Sequence, residues 1–433
     1  MGRKFISVLG AGDPKKNFNY DECIYEFLDE KVKTRYIQKA IIDIFCKDWK
    51  GNDKVIFFTT ALSKKYHWDR EGTLKEELKD YNLIVENKDI PFGGSEGELW
   101  ELFDIIFNSL EVNDEVIIDI THSFRTIPMF LIIILNYAKV LKNIKVKGIY
   151  YGAYANINDE KIAPIYDITM YDIIMDFTNG INTFLNTGNS NLLAEICKDL
   201  SSNKYENRTY LDEDVNNTIQ SLNDFSKAIM TCRGNASLIK MNDGEKRSIA
   251  ASYKNFEEEI KNYKLANNYL TKALSPLLEK VANETIDFSD IDPVKNGIAT
   301  VKWCIKNGLV QQGITALEET IKTLVCVSLK LNCYVENDRE IAKNILMVSN
   351  KPMYKWRNIK ESNIKIVQKF VYSRSIPEDL CDLSKNISRV RNDINHFGLS
   401  KKALKAQQIS RRLKKHFDEF VEIAERTTWK KYK

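Results

Sequence analysis

An arginine and a histidine lie five residues apart near the C-terminal end of this 433-residue chain, as Arg391 and His396. An imidazole, with an ordinary pKa of about 6.5, can move a proton at neutral pH. A guanidinium can stabilise the extra negative charge that develops on phosphorus. The pair therefore suits cleavage of a phosphodiester by a neighbouring 2′-hydroxyl, a reaction that needs no metal.

The residues around this pair predict a helix whose polar side carries it. At about 100° per residue, one face collects the apolar side chains: Leu383, Ile387, Val390, Ile394 and Phe397. Arg391, Asn392 and His396 then fall on the opposite side, over an arc of about 140°. Gly398 is the predicted C-cap, which puts His396 in the last helical turn. The alternative is structural, with a histidine at the negative end of the helix dipole and an arginine in an ion pair with Asp393 or another acid.

A second group of candidate residues follows the apolar run Phe5 to Leu9, where Gly10, Ala11 and Gly12 form a turn. Glycine allows a phosphate to approach the backbone closely and can take a positive φ angle. A dinucleotide fingerprint would need a third glycine opening the next helix and an acidic residue ending the second strand. The second strand ends at Thr59-Thr60 instead, so a nucleotide could sit here but an NAD site is not expected.

A third group lies between an apolar run and a helical pattern, in the sequence Asp119-Ile120-Thr121-His122-Ser123-Phe124-Arg125-Thr126. A hydroxyl at a helix start, free backbone N–H groups and an arginine in the first turn favour an anion site. The alternative is that Thr121 or Ser123 only caps the helix while Asp119 and Arg125 pair internally.

The elements that must position these turns alternate between strand and helix over the first 170 residues. Strands are predicted for Phe5–Leu9, Val55–Thr60, Glu115–Ile120 and Val146–Tyr151, and helices for Thr34–Trp49, Glu96–Leu110 and Phe124–Lys142. This alternation predicts an α/β, Rossmann-like domain with a mainly parallel sheet. Thr60 and Gly152 would then join the two turns at one sheet edge. That convergence favours a ligand with several phosphates, because the sequence has no metal-binding cluster and no G-x-S-x-G elbow.

From about residue 171 the pattern becomes amphipathic helix after amphipathic helix, so the rest of the chain is expected to be all-α. A turn near Asp292-Pro293 precedes a long helical pattern from Trp303 to Leu331, in which Gln312 or Glu319 could support the arginine and histidine. His67 has no nearby partner in the sequence and is expected to have a packing or surface role. The last 33 residues are basic, which indicates either a solvated helix face or an approach for a polyanion.

Composition bounds the remaining possibilities. Lys and Arg number 64 against 60 Asp and Glu, for a net charge of +4, so any basic surface must be local. The eight cysteines form no C-x-x-C pair and are expected to be reduced and mostly buried. The longest apolar run is too short to span a bilayer and no leader is visible, so a cytoplasmic protein is expected.

The order of these parts resembles the CRISPR-associated CARF-HEPN ribonucleases, the stand-alone effectors of type III CRISPR systems. Ser7 to Gly12 resembles the first-strand ligand turn of a CARF domain, and Asp119 to Arg125 resembles that domain's second signature. Arg391 to His396 matches the HEPN pattern of arginine, four residues and histidine, with asparagine after the arginine. The resemblance covers about residues 1–170 and 295–433, while 171–294 resembles the variable helical connector.

The resemblance implies a homodimer or higher homo-oligomer in which paired CARF domains bind a cyclic oligoadenylate and paired HEPN domains cut single-stranded RNA, leaving a 2′,3′-cyclic phosphate. It implies that His396 transfers the proton, Arg391 stabilises the phosphate and Asn392 orients or supports them. The ring pocket would be lined by Gly10, Ala11, Gly12, Thr60, Thr121, His122, Ser123, Phe124, Arg125 and Gly152. No cofactor or metal is expected. Cyclic tetra-adenylate is favoured over the hexamer as activator, and Thr121 or His122 could assist slow ring degradation.

Two other functions remain open on the sequence. The chain could be a nucleotide-sensing regulator without catalysis, whose helical half binds nucleic acid or a partner protein. It could also be a metal-dependent nuclease acting on DNA, although the candidate helix offers only one carboxylate, Asp393.

Overall fold

The computed structural model describes residues 2–122, 127–202, 211, 213–234, 248–263, 269–288, 292–399 and 401–428. The predicted pocket residues Ser123, Phe124 and Arg125 lie outside the described residues. The chain divides into two compact units, Met1–Ile173 and Ile174–Lys433. The predicted division of the second unit into a connector and a terminal domain stays a prediction.

The first unit is built on an eight-stranded sheet with the order β3-β2-β8-β7-β6-β1-β4-β5. Its strands are β1 (Arg3–Leu9), β2 (Cys23–Phe27), β3 (Glu30–Thr34), β4 (Lys54–Thr59), β5 (Ile84–Asp89), β6 (Glu115–Asp119), β7 (Lys145–Gly152) and β8 (Ile162–Asp167). The five strands from β7 to β5 run parallel. At the other side β7 pairs antiparallel with β8, β8 parallel with β2, and β2 antiparallel with β3.

The sheet is therefore mixed, and the expectation of a mainly parallel sheet holds only for its larger part. Parallel strands buried on both faces read as continuous apolar runs, which is why β1, β4, β6 and β7 were visible in the sequence. The other four strands lack such a run, since β3 and β5 are mostly polar and β2 and β8 are mixtures of polar and apolar residues, so they give a weaker signal. The predicted helix Thr34–Trp49 is wrong in its first residues, because Glu30–Thr34 pairs with β2.

Helices cover both faces of this sheet. Those of the first unit are α1 (Ile37–Phe45), α2 (Ala61–His67), α3 (Leu74–Glu77), α4 (Glu96–Asn108) and α5 (Ile127–Lys142). Alternate residues of β1 serve separate cores, since Phe5 and Leu9 pack with α1 on one face while Ile6 and Val8 pack on the other. A strand buried on both sides is rigid, so its carboxyl end is a firm base for a turn.

All described elements of the second unit are helices. They are α6 (Thr169–Thr187), which contains the boundary, α7 (Asn191–Ser202), α8 (Glu213–Met230), α9 (Ile249–Tyr263), α10 (Tyr269–Glu284), α11 (Pro293–Lys306), α12 (Val310–Ser328), α13 (Glu336–Val348), α14 (Glu361–Tyr372), α15 (Glu378–Asn395) and α16 (Ala406–Thr428). The long pattern from Trp303 to Leu331 is thus two helices, not one. They separate at Gly308, whose φ of +70° is left-handed.

The eight cysteines are free thiols, as the sequence predicted. Seven are buried, and Cys232, which follows α8, is half-buried. Among the described residues, no helix combines the length and apolar character needed to cross a membrane.

Candidate functional site

A cavity of about 560 Å³ opens in the first unit at the carboxyl ends of β1 and β6. The predicted residues Gly10, Ala11, Gly12, Thr121 and His122 all line it. The rest of its wall was not foreseen and consists of Val8, Leu9, Asp13, Lys16, Asn19, Tyr20, Asp21, Tyr25, Arg35 and Tyr154. Two turns far apart in the sequence therefore meet around one space, as expected for a ligand site at this edge of a parallel sheet.

The turn after β1 contains glycine at positions 10 and 12 because a side chain would not fit at either position. Gly12 has a φ of +85°, and a Cβ atom at this position would lie 2.5 Å from the carbonyl oxygen of Phe18. A Cβ at Gly10 would lie 3.1 Å from Tyr20 Oη and 3.2 Å from His122 Cβ. The backbone of this turn is thus exposed to the cavity at one side and packed against rings at the other.

Three aromatic rings form a stack beside the turn. Tyr20 lies between His67 and His122, with centroid distances of 4.2 Å and 4.7 Å and interplanar angles of 8° and 13°. The Tyr20 hydroxyl donates to the carbonyl oxygen of Gly10 at 2.7 Å. The stack holds His122 at the cavity wall and connects the glycine turn to the turn after β6, which carries Thr121 and His122.

His67 has partners that lie far from it in the sequence, and its role is packing, one of the two roles that the sequence predicted. Its Nε2 lies 3.1 Å from the Ala11 carbonyl oxygen and donates to it, because a carbonyl only accepts. Its Nδ1 lies 3.4 Å from the hydroxyl of Tyr36. Burial lowers the pKa of His67. His67 therefore holds the ligand turn from behind as a neutral ring.

His122 is also neutral near pH 7, because burial lowers its pKa to about 4. It therefore carries no charge toward an anionic ligand at neutral pH. It offers a flat face and one N–H group instead, a chemistry suited to a nucleobase or a phosphate oxygen.

The second turn is anchored by a buried carboxylate at the end of β6. Asp119 accepts from Ser7 Oγ at 2.7 Å and from the Thr121 backbone N–H at 2.9 Å. Gln38 Nε2 lies 3.3 Å from the same carboxylate. Burial raises the pKa of Asp119, and these hydrogen bonds act in the opposite direction. Asp119 is thus a positioning group for Thr121 and not an exposed acid.

Two predicted pocket residues lie outside the cavity lining. Thr60 caps α2, where its side chain accepts from the Ser63 backbone N–H in a reciprocal capping box. Gly152 donates its backbone N–H to Thr121 Oγ1 at 2.8 Å, and a Cβ there would lie 2.5 Å from Ile37. Their roles in this chain are structural, and contact with a ligand stays a prediction.

Charged residues surround the opening. Lys16 pairs with Asp21, which also accepts from the Tyr154 hydroxyl at 2.9 Å, and both contacts lower the pKa of Asp21. Arg35 is exposed and has no carboxylate partner among the described residues. Arg35 is therefore available to an anion.

The second candidate site lies at the C-terminal end of α15. Arg391 NH1 donates to Glu318 Oε2 of α12 at 2.9 Å, and Glu319 lies 3.9 Å away. Ser388 donates to the other oxygen of Glu318 at 3.2 Å. Burial would lower the pKa of Arg391, but the contacts with Glu318 and Glu319 outweigh that effect and raise it. The guanidinium is thus charged and oriented by Glu318, a residue that the sequence analysis did not assign to this site.

His396 ends the same helix and is exposed, as is Asn392. The expectation that Gly398 is the C-cap is wrong, because the C-cap is His396 and the two residues after it, Phe397 and Gly398, take left-handed φ angles of +59° and +66°. The Phe397 and Gly398 N–H groups bond the carbonyls of Ile394 and Asp393, which closes the helix end. Arg391 is held against α12 by Glu318, whereas His396 is exposed at the helix end, and among the described residues the two side chains make no hydrogen bond to each other.

Gln312 donates to the Met230 carbonyl oxygen at 3.3 Å, so it supports packing and not this pair. Glu319 pairs with Lys322 at 2.6 Å and with Arg339 at 2.7 Å. In the part of the chain that the structure describes, no cluster of three or more His, Cys, Asp or Glu side chains could hold a metal ion.

Comparison with known proteins places the first cavity in a known type of domain. Residues 5–155 match the family model described as the CARF domain of the CRISPR system endoribonuclease Csx1. The first unit therefore contains a CARF-type domain. The match covers the glycine turn, the ring stack and the second turn, and it stops before the helical unit.

A relative aligns over most of the chain. The CRISPR-associated protein MJ1674 of Methanocaldococcus jannaschii is 26% identical over 466 aligned positions, which include 93% of this chain. The chain spans 63% of the length of that relative.

Proposed function

We propose that this protein is a cyclic-oligoadenylate-activated, metal-independent endoribonuclease that cuts single-stranded RNA in type III CRISPR defence. The observation that carries the proposal is the cavity at β1 and β6, lined by both predicted turns, within the segment that matches the Csx1 CARF domain. CARF domains as a class bind cyclic oligoadenylates. The Arg391 and His396 helix then supplies the chemistry in the second unit.

In the cavity, the glycine turn offers backbone to the phosphates of the ring and Arg35 offers positive charge. The neutral ring of His122, which ends the stack, suits an adenine, whose flat face stacks on aromatic groups. Cyclic tetra-adenylate remains the preferred activator over the hexamer. Binding activates the enzyme only to the extent that the ring prefers the active arrangement over the resting one.

At the second site, His396 moves the proton of the attacking 2′-hydroxyl or of the leaving oxygen. Arg391 stabilises the charge on phosphorus, and Asn392 supports both. The RNA 2′-oxygen attacks its own phosphorus and the 5′-oxygen leaves, which forms a 2′,3′-cyclic phosphate without water or metal. The proposal includes a second copy of the chain, whose Arg391 and His396 face the same cleft.

A second copy also has a surface to pack against in the first unit. Helix α5 exposes Met129, Ile133, Tyr137 and Val140 at helical spacing, which we call the α5 stripe. Exposed apolar side chains in such a row are unusual on a monomer and typical of an interface. The proposed dimer covers this stripe with that of a second chain.

The deciding experiment is cleavage of a labelled single-stranded RNA in EDTA, with and without cyclic tetra- or hexa-adenylate. We expect cleavage that depends on one ring and falls by about 10² to 10⁴-fold in His396→Ala. Cleavage that requires a divalent metal would favour the DNA-nuclease type of chemistry instead.

A sensing regulator without catalysis is the second candidate, favoured by the Glu318 contact that occupies Arg391. It predicts tight ring binding with no RNA cleavage and no effect of His396→Ala. Slow ring degradation at Thr121 and His122 is a further proposal for the cavity. Prolonged incubation of His396→Ala protein with the ring, followed by chromatography, tests it, and an intact ring would remove it.

A further inference from the structure

A surface of the second unit combines exposed aromatic rings with positive charge. Tyr354 and Tyr372 are 73% and 64% exposed, and the Tyr372 hydroxyl lies 3.9 Å from Met353 Sδ. Around these three residues, the segment 351–374 carries a single acid, Glu361, and seven basic residues: Lys351, Lys355, Arg357, Lys360, Lys365, Lys369 and Arg374. We call the three residues and these cations, Lys360 excepted, the basic aromatic patch.

Within the described ranges, the basic residues of the patch are not paired with carboxylates. Lys360 pairs with Glu340 at 2.6 Å, whereas the other six basic residues make no ion pair among the described residues. Their charge is therefore directed at solvent. A surface of this kind binds a polyanion with release of counterions, which makes the affinity dependent on salt.

The helix α14 places two of these cations in line with one of the rings. Lys365, Lys369 and Tyr372 are spaced by four and three residues, which puts them within about 60° of one face. The opposite face is buried at Val367 and Asn363. Rings that alternate with cations along a line are typical of proteins that bind single strands, because bases stack on the rings while phosphates meet the charges.

The patch also has a defined position relative to the candidate cleavage site. Asn350, next to the patch, donates to Asp382 Oδ1 at 3.3 Å near the start of α15. Arg391 lies nine residues further along that helix, about 14 Å at 1.5 Å per residue. A strand of several nucleotides that follows α15 could reach both.

We infer that the basic aromatic patch is an RNA-binding surface, which holds a single-stranded segment several nucleotides from the bond that Arg391 and His396 cleave. The inference rests on the proposed function in taking RNA as the substrate. It adds a second contact that the chemistry itself does not require.

The test measures binding of a fluorescent single-stranded RNA of about twenty nucleotides to the full-length His396→Ala protein. Binding is monitored by fluorescence anisotropy at several salt concentrations. In that background, Tyr354→Ala with Tyr372→Ala should weaken binding at least fivefold. Lys365→Ala with Lys369→Ala should weaken binding and also reduce its salt dependence. The matched control is Tyr269→Ala with Lys272→Ala on α10, where Tyr269 is 80% exposed, and it should change affinity by less than twofold.

Unchanged affinity in both patch variants would overturn the inference, as would equal loss in the α10 control. Equal binding of duplex RNA would overturn the stacking part of it. Cleavage by the same variants with an intact His396 separates this outcome from failure of the proposed function. If the patch variants cut RNA at the wild-type rate, the proposed function stands and the RNA-binding patch is rejected. If the wild type binds RNA through the patch but does not cut it, the patch stands and the proposed function is rejected.

Discussion

At the scale of single residues, the first unit keeps two histidines neutral by burying them in a stack. His122 has a folded-state pKa of about 4 against an ordinary value of 6.5, so unfolding lets it take up a proton below pH 6.5. His67 is shifted in the same direction. Protonation therefore favours the unfolded chain, and the stabilising contribution of these rings is lost as the pH falls from 6.5 toward 4.

We expect the free energy of unfolding of the first unit to fall by about 2 kcal/mol between pH 6.5 and pH 5 through His122. His122→Gln should reduce this slope, measured by denaturant unfolding at each pH. His396→Gln is the control, since His396 belongs to the second unit, and it should leave the slope for the first unit unchanged. Asp119, whose pKa is raised, acts in the opposite direction and is common to both variants. Equal slopes in His122→Gln and the wild type would contradict the assignment.

Glu318 is the second residue whose environment leads to a prediction. Its carboxylate accepts a hydrogen bond from the guanidinium that the proposed reaction uses, while Glu319 lies 3.9 Å from that guanidinium and pairs more closely with Lys322 and Arg339. Glu318→Gln keeps the shape and loses the charge, so Arg391 is held less firmly. We expect kcat for ring-activated cleavage to fall about tenfold or more with little change in KM.

Glu319→Gln is the control for that variant and should affect the melting temperature more than kcat. If Glu318→Gln raised cleavage in the absence of the ring, Glu318 would be a restraint on Arg391 in the resting enzyme and not a positioning residue.

At the scale of elements, the packing of α11 on α12 depends on a glycine. A Cβ at Gly297 would lie 2.2 Å from Thr320 Oγ1 and 2.5 Å from its Cγ2. Threonine is branched at Cβ and cannot easily turn away. We expect Gly297→Ala to destabilise the second unit by about 1–3 kcal/mol, measured by thermal or denaturant unfolding.

Gly97 in α4 provides the opposite case, because a Cβ there would meet nothing within 4 Å. Gly97→Ala should be neutral or stabilise the first unit by up to about 1 kcal/mol, as alanine favours the helix. Similar destabilisation by both substitutions would show that helix geometry, and not the close approach to Thr320, decides the effect.

The sequence was informative about elements where burial is continuous and about turns where glycine and hydroxyl residues follow a strand. It therefore predicted β1, β4, β6 and β7 and the cavity residues between Gly10 and Gly12. It did not predict β3, because a strand reading Glu-Lys-Val-Lys-Thr resembles a polar loop or a helix start. Nor could it predict the ring stack, since Tyr20, His67 and His122 meet only when the sheet has formed.

At the scale of the whole molecule, the α5 stripe gives a prediction about assembly. Ile133→Glu with Val140→Glu places two charges on a surface that the proposed dimer buries. We expect the mass measured by light scattering to fall to that of one chain, 50.2 kDa, and ring-activated cleavage to fall with it. Val112→Glu, at another exposed apolar residue of the first unit, should leave the mass unchanged.

An unchanged mass in the stripe variant would mean that α5 does not form the interface. Loss of cleavage without loss of the dimer would instead indicate that the stripe transmits the signal of the bound ring.

The cysteines differ in burial, so their reactivity toward a thiol reagent can report local opening of the folded chain. A thiol reagent should modify Cys232 in the native protein, while the seven buried thiols react only when their surroundings open. Burial raises the pKa of Cys232, and the nearby charge of Arg391 lowers it, so its reaction rate is sensitive to where that guanidinium sits. The rate at which Cys232 is labelled, measured as the cyclic oligoadenylate is added, would thus report the response of the second unit without an engineered cysteine.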